Sequence, residues 1–148
     1  MEKTWRWFGK KDTITLAMLR QIGVEGIGTA LHHIPKGEIW TAEEIEDLKR
    51  YIEEEGLHWS VVESLPVSEA IKYAGEDRDA LIENYKISLA NLGRAGVKTD
   101  CYNFMPGNDW VRTDMYHPPA DGASSLSFDK SRVVYVDCCI VKRAHIHI

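Results

Sequence analysis

TAEEIEDLKRYIEEEGLHWSVVES, residues 41–64, holds a helix and a strand back to back. Thr41 stands three positions before Glu44, the spacing of a capping box, in which a hydroxyl and a carboxylate satisfy the free amides of a helix start. Ile45, Leu48, Tyr51 and Ile52 then recur at helical spacing and form one apolar stripe. Gly56 stops the helix. His58–Ser64 follows as a β-prone run that Pro66 terminates. A helix that feeds a strand through a glycine turn is one half-step of a βα repeat, so the flanking sequence decides the fold.

The flanks repeat the step. Thr4–Phe8 (TWRWF) is β-prone and ends at Gly9. Asp12 or Thr13 can cap a short helix through Leu16, Leu19 and Arg20 toward Gly23. Ile27–His33 (IGTALHH) reads as a strand ending in a turn at Pro35–Gly37. Asp77 or Asp79 opens a second long helix, with Leu81, Ile82, Tyr85, Leu89 and Leu92 on one face and Gly93 or Gly96 as its stop. Lys98–Met105 is the fourth strand. This alternation predicts an α/β protein with a parallel sheet. Gly107–Asp129 reads as a long polar loop, and Arg132–Ile140 (RVVYVDCCI) as a possible further strand with no helix after it.

The composition narrows the class of function. The 148 residues make one domain's worth of chain, 44% apolar and 28% charged, as in a soluble globular protein. A net charge of -5 argues against a nucleic-acid groove or an anionic membrane as partner. No apolar run approaches the roughly 20 residues of a membrane span. Met1–Lys11 mixes charges with tryptophans, unlike a signal peptide. Three cysteines, two of them adjacent at Cys138–Cys139, do not make a disulfide framework, which points to the cytoplasm.

In parallel βα folds ligands bind at the carboxyl ends of the strands. Here those ends carry Arg6 and Trp7, His32 and His33, Glu63 and Ser64, then Tyr102 and Asn103, with Trp110 and Arg112 on the loop beyond. Each has a plain alternative. Arg6 either pairs with a surface carboxylate or clamps a substrate carboxylate with its forked guanidinium. Trp5 and Trp7 share a strand face and serve either the core or a sugar-stacking platform. Successive strand residues point to opposite faces, so at most one of His32 and His33 can face a site. Glu63 continues the period-two series of Trp59 and Val61, where a carboxylate is costly unless paired. Asn103 can read hydroxyls, and Trp110 and Arg112 can close over a ligand or pack on their own fold.

The tail offers Cys138, Cys139, His145 and His147, but adjacent cysteines do not chelate one zinc as a CxxC pair does. No P-loop, GxGxxG or GxSxG motif occurs, so phosphate cradles and nucleophile elbows lack support.

Six pieces in register resemble the N-terminal half of the mannonate dehydratase family. They are TWRWFG (4–9), TALHHIPKGEIW (29–40), WSVVESLPV (59–67), IENYKISLANLGRAG (82–96), CYNFMP (101–106) and DWVRTD (109–114). The resemblance covers roughly residues 2 to 129. It implies a (β/α)8 TIM barrel of the xylose-isomerase type, of which residues 1–130 form about the first four βα units and residues 131–148 a divergent tail. It also implies a cytoplasmic lyase of hexuronate catabolism that dehydrates D-mannonate to 2-dehydro-3-deoxy-D-gluconate. Fe(II) or Mn(II) is the implied cofactor, with ligands from the second half of the barrel, absent from this chain. Trp7, His32, Glu63, Asn103 and Arg112 are the implied site-lining residues; the catalytic acid and base stay unassigned. The implied partners are a small sugar acid and a second copy in a homo-oligomer. A truncated enzyme, a non-catalytic sugar-acid-binding half-barrel and a self-associating half-barrel are the three readings this leaves. The departures are Ser68-Glu69-Ala70 where the family has His-Glu-Asp, Gly107-Asn108 for two apolar residues, and Asp100 for an apolar strand residue, where an unpaired buried carboxylate would be destabilising.

Overall fold

A computed structural model of the chain describes residues 1–106 and 111–140. It divides into two compact units, Met1–Pro106 and Gly107–Ile148. The first holds β1 (Thr4–Arg6), α1 (Leu16–Gln21), β2 (Gly26–Thr29), α2 (Ala42–Glu54), β3 (His58–Glu63), the short α3 (Glu69–Lys72), α4 (Arg78–Arg94) and β4 (Asp100–Cys101). The strands form one parallel sheet in the order β1-β2-β3-β4, as the alternating pattern predicts.

The core comes from one face of that sheet and the helices laid on it. Trp7, Ile27, Trp59 and Val62 of the strand segments cluster with Leu16 and Leu19 of α1, Ile45 and Ile52 of α2, and Leu92 of α4. Trp5 shares the face of Trp7 yet is 39% exposed, as β1 is an outer strand of the sheet among the described residues. On the opposite face Thr4, Arg6, Ser60 and Glu63 are exposed or half-buried. Gly26 leaves room there for the Glu2 carboxylate and the Ser60 hydroxyl, which a Cβ at this position would push aside. Glu2 itself accepts from Ser60 at 2.5 Å and pairs with His58 at 2.7 Å.

Three local details differ from the sequence reading. The first helix starts late, because Thr15 caps it, accepting from the Met18 amide. Asp12 instead folds the preceding loop, accepting from the Phe8 and Ile14 amides, which hold its carboxyl below the usual range. In β3 the register slips by one opposite Ile27–Gly28. The extra residue, Ser60, breaks the period-two series, so Trp59 stays buried while Glu63 emerges on the polar face. The second strand ends at Thr29, and His32 and His33 follow it in a turn.

The C-terminal end of the first unit is fastened to its middle by three polar side chains on α4. Asn84 donates to the Gly37 carbonyl at 2.9 Å, buried Ser88 accepts from the Trp40 amide at 3.0 Å, and Asn91 donates to the Trp40 carbonyl at 2.8 Å. Trp40 is only 1% exposed.

In the second unit, the expected long loop contains an antiparallel hairpin, β5 (Asp114–His117) with β6 (Ser125–Ser127). The run 132–140 is helical, not a strand: α5 spans Lys130–Tyr135 and a π-helical turn spans Val136–Ile140. Asp129 decides this by capping the Ser131 and Arg132 amides, and a capped start outweighs the β preference of Val133, Val134 and Val136.

Candidate active site

The carboxyl ends of β1, β2 and β3 bring a polar group together. Arg6 ends β1 on the open face, and its guanidinium lies 3.8 Å from the Glu63 carboxylate at the end of β3. The same guanidinium sits over the Phe8 ring, 5.0 Å from its centre. Phe8 in turn lies 6.3 Å from the His32 ring, tilted by 32°. Thus the arginine is held by charge on one side and by a π face on the other, and the histidine closes the row.

His32 is solvent-exposed in its turn, yet the desolvation it does feel pulls its pKa below the ordinary value; a hydrogen bond to the Trp7 carbonyl opposes this, and the charges of Arg6 and His33 add to it. At neutral pH the ring is therefore uncharged, with one nitrogen donating to that carbonyl. The other nitrogen is then an acceptor. His33 leaves on the other side and pairs with Glu44 at 3.1 Å. So one histidine of the pair faces the group of Arg6 and Phe8 and the other the start of α2, although both lie in the turn after β2 and not in the strand. Phe8, Lys10, His32, His33 and Glu44 line a cleft of about 550 Å³.

The β4 end adds a thiol and an amide. Cys101 pairs with Glu63 across the β3–β4 register. Desolvation and the adjacent Glu63 carboxylate, to which the thiol donates, push its pKa up. Asn103 follows two residues later and is half-buried. Asp100, next to Cys101, points at the first unit's α4 side: it accepts from the Leu65 amide at 3.1 Å and from the Tyr85 hydroxyl at 3.2 Å.

Trp7 is placed differently from the others. Its side chain is in the core, stacked on Tyr51 at 6.1 Å, and its indole N–H donates to the Ile14 carbonyl at 3.1 Å. It supports the row from behind through its backbone carbonyl, which holds His32. Arg112 belongs to the second unit. There its Nη1 donates to the Val111 carbonyl at 2.9 Å, and it lines a cleft of about 630 Å³ with Thr113, Arg132 and Tyr135. Trp110, Gly107-Asn108, His145 and His147 lie outside the described residues. Sequence reading missed Phe8 and Cys101. Phe8 was legible as the next residue on the Thr4–Arg6 face; Cys101 needed the register with Glu63, which no local pattern carries.

A family model for D-mannonate dehydratase matches residues 1–145. The chain belongs to the D-mannonate dehydratase family. It is 50% identical over 138 residues to the mannonate dehydratase of Streptococcus suis strain 05ZYH33, covering 93% of this chain and 38% of that relative. The Bacillus subtilis strain 168 enzyme is also 50% identical, over 139 residues, with 39% of its length covered. Among solved structures, that of mannonate dehydratase from Streptococcus suis serotype 2 superposes with a TM-score of 0.84 at 50% identity, over 93% of this chain and 40% of that one. The chain thus spans about two-fifths of the mannonate dehydratases it matches, and the family match runs past residue 130 into the tail.

The four parallel strands with their helices are the partial barrel that the mannonate dehydratase resemblance implies. Among the described residues, no three His, Cys, Asp or Glu side chains gather closely enough to hold a metal ion. They do not fit a divalent-metal centre by themselves. No helix among the described residues is long and apolar enough to cross a membrane.

Proposed function

We propose that this chain forms the substrate-contacting wall of a cytoplasmic mannonate dehydratase, which converts D-mannonate to 2-dehydro-3-deoxy-D-gluconate in hexuronate breakdown. The observation that carries this reading is the row Arg6–Glu63 with Phe8 and His32 at the carboxyl edge of a parallel sheet. The reaction is a β-elimination. A base takes the proton from C2, next to the carboxylate, the C3 hydroxyl leaves with an added proton as water, and the resulting enol becomes the 2-keto acid.

What the chain's own residues contribute is recognition and placement. Glu63, already partnered by Arg6, accepts from sugar hydroxyls. Neutral His32 offers its free nitrogen to another hydroxyl and, unprotonated, adds no charge to the wall. Asn103 reads a hydroxyl through its amide. Arg6 can offer its forked guanidinium to the substrate carboxylate, Arg112 is a site-lining residue by the family resemblance alone, and Trp7 holds His32 through its backbone carbonyl. In the family reading Fe(II) or Mn(II) acts as Lewis acid, but the described residues give it no seat, so the roles assigned here are binding roles.

That same lack of a metal group favours one second reading, a half-barrel that binds the sugar acid without turning it over. Calorimetry with D-mannonate in EDTA tests the shared part: we expect binding in the millimolar range, weakened by about tenfold in Glu63→Ala, the loss of one charged hydrogen bond. No heat at millimolar ligand would remove both readings. Keto-acid formation by the purified chain with Mn(II), abolished by EDTA, would separate them in favour of the dehydratase.

A further inference from the structure

Glu63 ends β3 on the polar face, and the two residues of β4 beside it divide between the faces. In a parallel pair, residues in register point to the same side of the sheet. Val62 is fully buried in the core, and its partner Asp100 goes with it toward α4, where it meets the Tyr85 hydroxyl. Cys101, the partner of Glu63, therefore lies on the polar face with it. Adjacent strands are about 4.8 Å apart, and across that gap the thiol donates to the carboxylate.

Arg6 comes from the other side, over a longer path. β2 lies between β1 and β3, so the arginine side chain spans two strand spacings, about 9–10 Å. Beside Arg6, β2 presents Gly28. The nearest atom that a Cβ at Gly28 would meet is the Trp5 carbonyl oxygen, at 3.8 Å. No crowding calls for a glycine there, and its bare backbone leaves the way from Arg6 to Glu63 clear.

The Glu63 carboxylate is thereby flanked by a guanidinium at 3.8 Å on the β1 side and by a thiol on the β4 side. An ionised carboxylate has about four acceptor sites, so two flanking groups leave it able to accept from sugar hydroxyls. What they restrict is rotation. A glutamate loses side-chain freedom when it orders on a ligand, and one already held has less to lose. Desolvation first, and the Glu63 charge second, keep the thiol protonated at neutral pH, so it serves as a donor and not as a nucleophile.

We propose that Cys101 is a positioning residue of the sugar-acid site: its thiol, opposite Arg6, fixes the Glu63 carboxylate in the orientation that receives substrate hydroxyls. The proposal rests on the binding role given to Glu63 above, and it adds a group that touches no substrate itself.

Calorimetry with D-mannonate in EDTA, on the 148-residue chain and its variants, tests it. Cys101→Ala should weaken binding by about threefold, less than the loss of Glu63 itself, because the thiol gives one weak hydrogen bond. Cys101→Ser keeps a donor at the same place and should bind within about twofold of the native chain. In a Glu63→Ala background, Cys101→Ala should change nothing further, since the thiol then has no carboxylate to hold. A residue that only supported the strand would weaken both backgrounds alike, and serine would not rescue it. Should the alanine variant unfold, Cys101→Val, which suits a strand and donates nothing, carries the same comparison.

The contact itself is read separately, with Cys138→Ser and Cys139→Ser in place so that Cys101 is the one thiol left. Glu63→Gln should then speed alkylation by iodoacetamide, at about pH 8, on the order of threefold, because a charge that opposes the thiolate is gone. Native binding that Cys101→Ala leaves intact overturns the proposal, and so does a serine variant as weak as the alanine one. Equal losses in both backgrounds, or an alkylation rate indifferent to Glu63, overturn it as well. All of these strike the proposal alone. An absence of heat from the native chain removes the binding reading, and the proposal with it.

Discussion

Asp100 is a half-buried carboxylate in β4, and it is tolerated because two donors reach it. The Leu65 amide comes from 35 residues away and the Tyr85 hydroxyl from 15. Burial nevertheless raises its pKa, more than those two bonds lower it, with the charge of Glu63 adding to the rise; burial likewise raises that of Tyr85, with Asp100 next. The sign follows directly. A carboxyl whose folded pKa lies above its unfolded value stabilises the fold most at low pH, and that contribution is lost as pH rises through the folded value. Asp100→Asn keeps an oxygen for Leu65 and an N–H₂ for the tyrosine oxygen, but has no charge to bury. Urea unfolding of this variant should show a higher stability than the native chain at pH 7 and a smaller decline above about pH 4. Parallel pH curves for the two proteins would show that Asp100 does not carry the dependence. From the sequence alone Asp100 reads as unpaired, since neither donor is a neighbour in the chain.

At the scale of the element, α2 is the most legible part of the fold. Thr41 caps it as its sequence predicts, accepting from the Glu44 amide at 3.3 Å. The reciprocal half of the box is changed: the Glu44 carboxylate turns to His33 at 3.1 Å and meets the Thr41 hydroxyl at 3.4 Å. Thr41→Ala should therefore cost about 1 kcal/mol, a drop of roughly 2–4 °C in Tm by calorimetry. Glu44→Gln should cost less, because its partners are exposed and their contact is screened by solvent. An equal loss in both would put the weight on the charge instead. The residues 132–140 were the least legible. Val133, Val134, Tyr135 and Val136 are strand formers by local preference, and only Asp129 at the preceding turn makes them helical. The slip at Ser60 was equally hidden, because a bulge is set by the partner strand and not by the strand's own alternation.

Across the whole molecule, the order of the sheet could be read from the spacing of helices and strands, because parallel neighbours joined by helices leave few other topologies. The positions of Arg6, His32 and Glu63 at one edge could be read as well. Their distances could not, nor could the burial of Trp7, which depends on α2 supplying Tyr51. The three bonds from α4 to residues 37–40 have a consequence of another kind. They join positions 47 to 51 apart in the chain, so the middle of the first unit is held by a helix made much later. Trp40 lies in an irregular segment just ahead of α2, where an amide would ordinarily exchange with solvent through local opening. Here its N–H is covered by a buried hydroxyl of α4, so it can exchange only when that helix lifts away. In deuterium oxide the Trp40 amide should therefore be among the slowest of the chain, and Ser88→Ala should release it by orders of magnitude while leaving the β2 amides protected. The loop would keep time with the far end of the molecule.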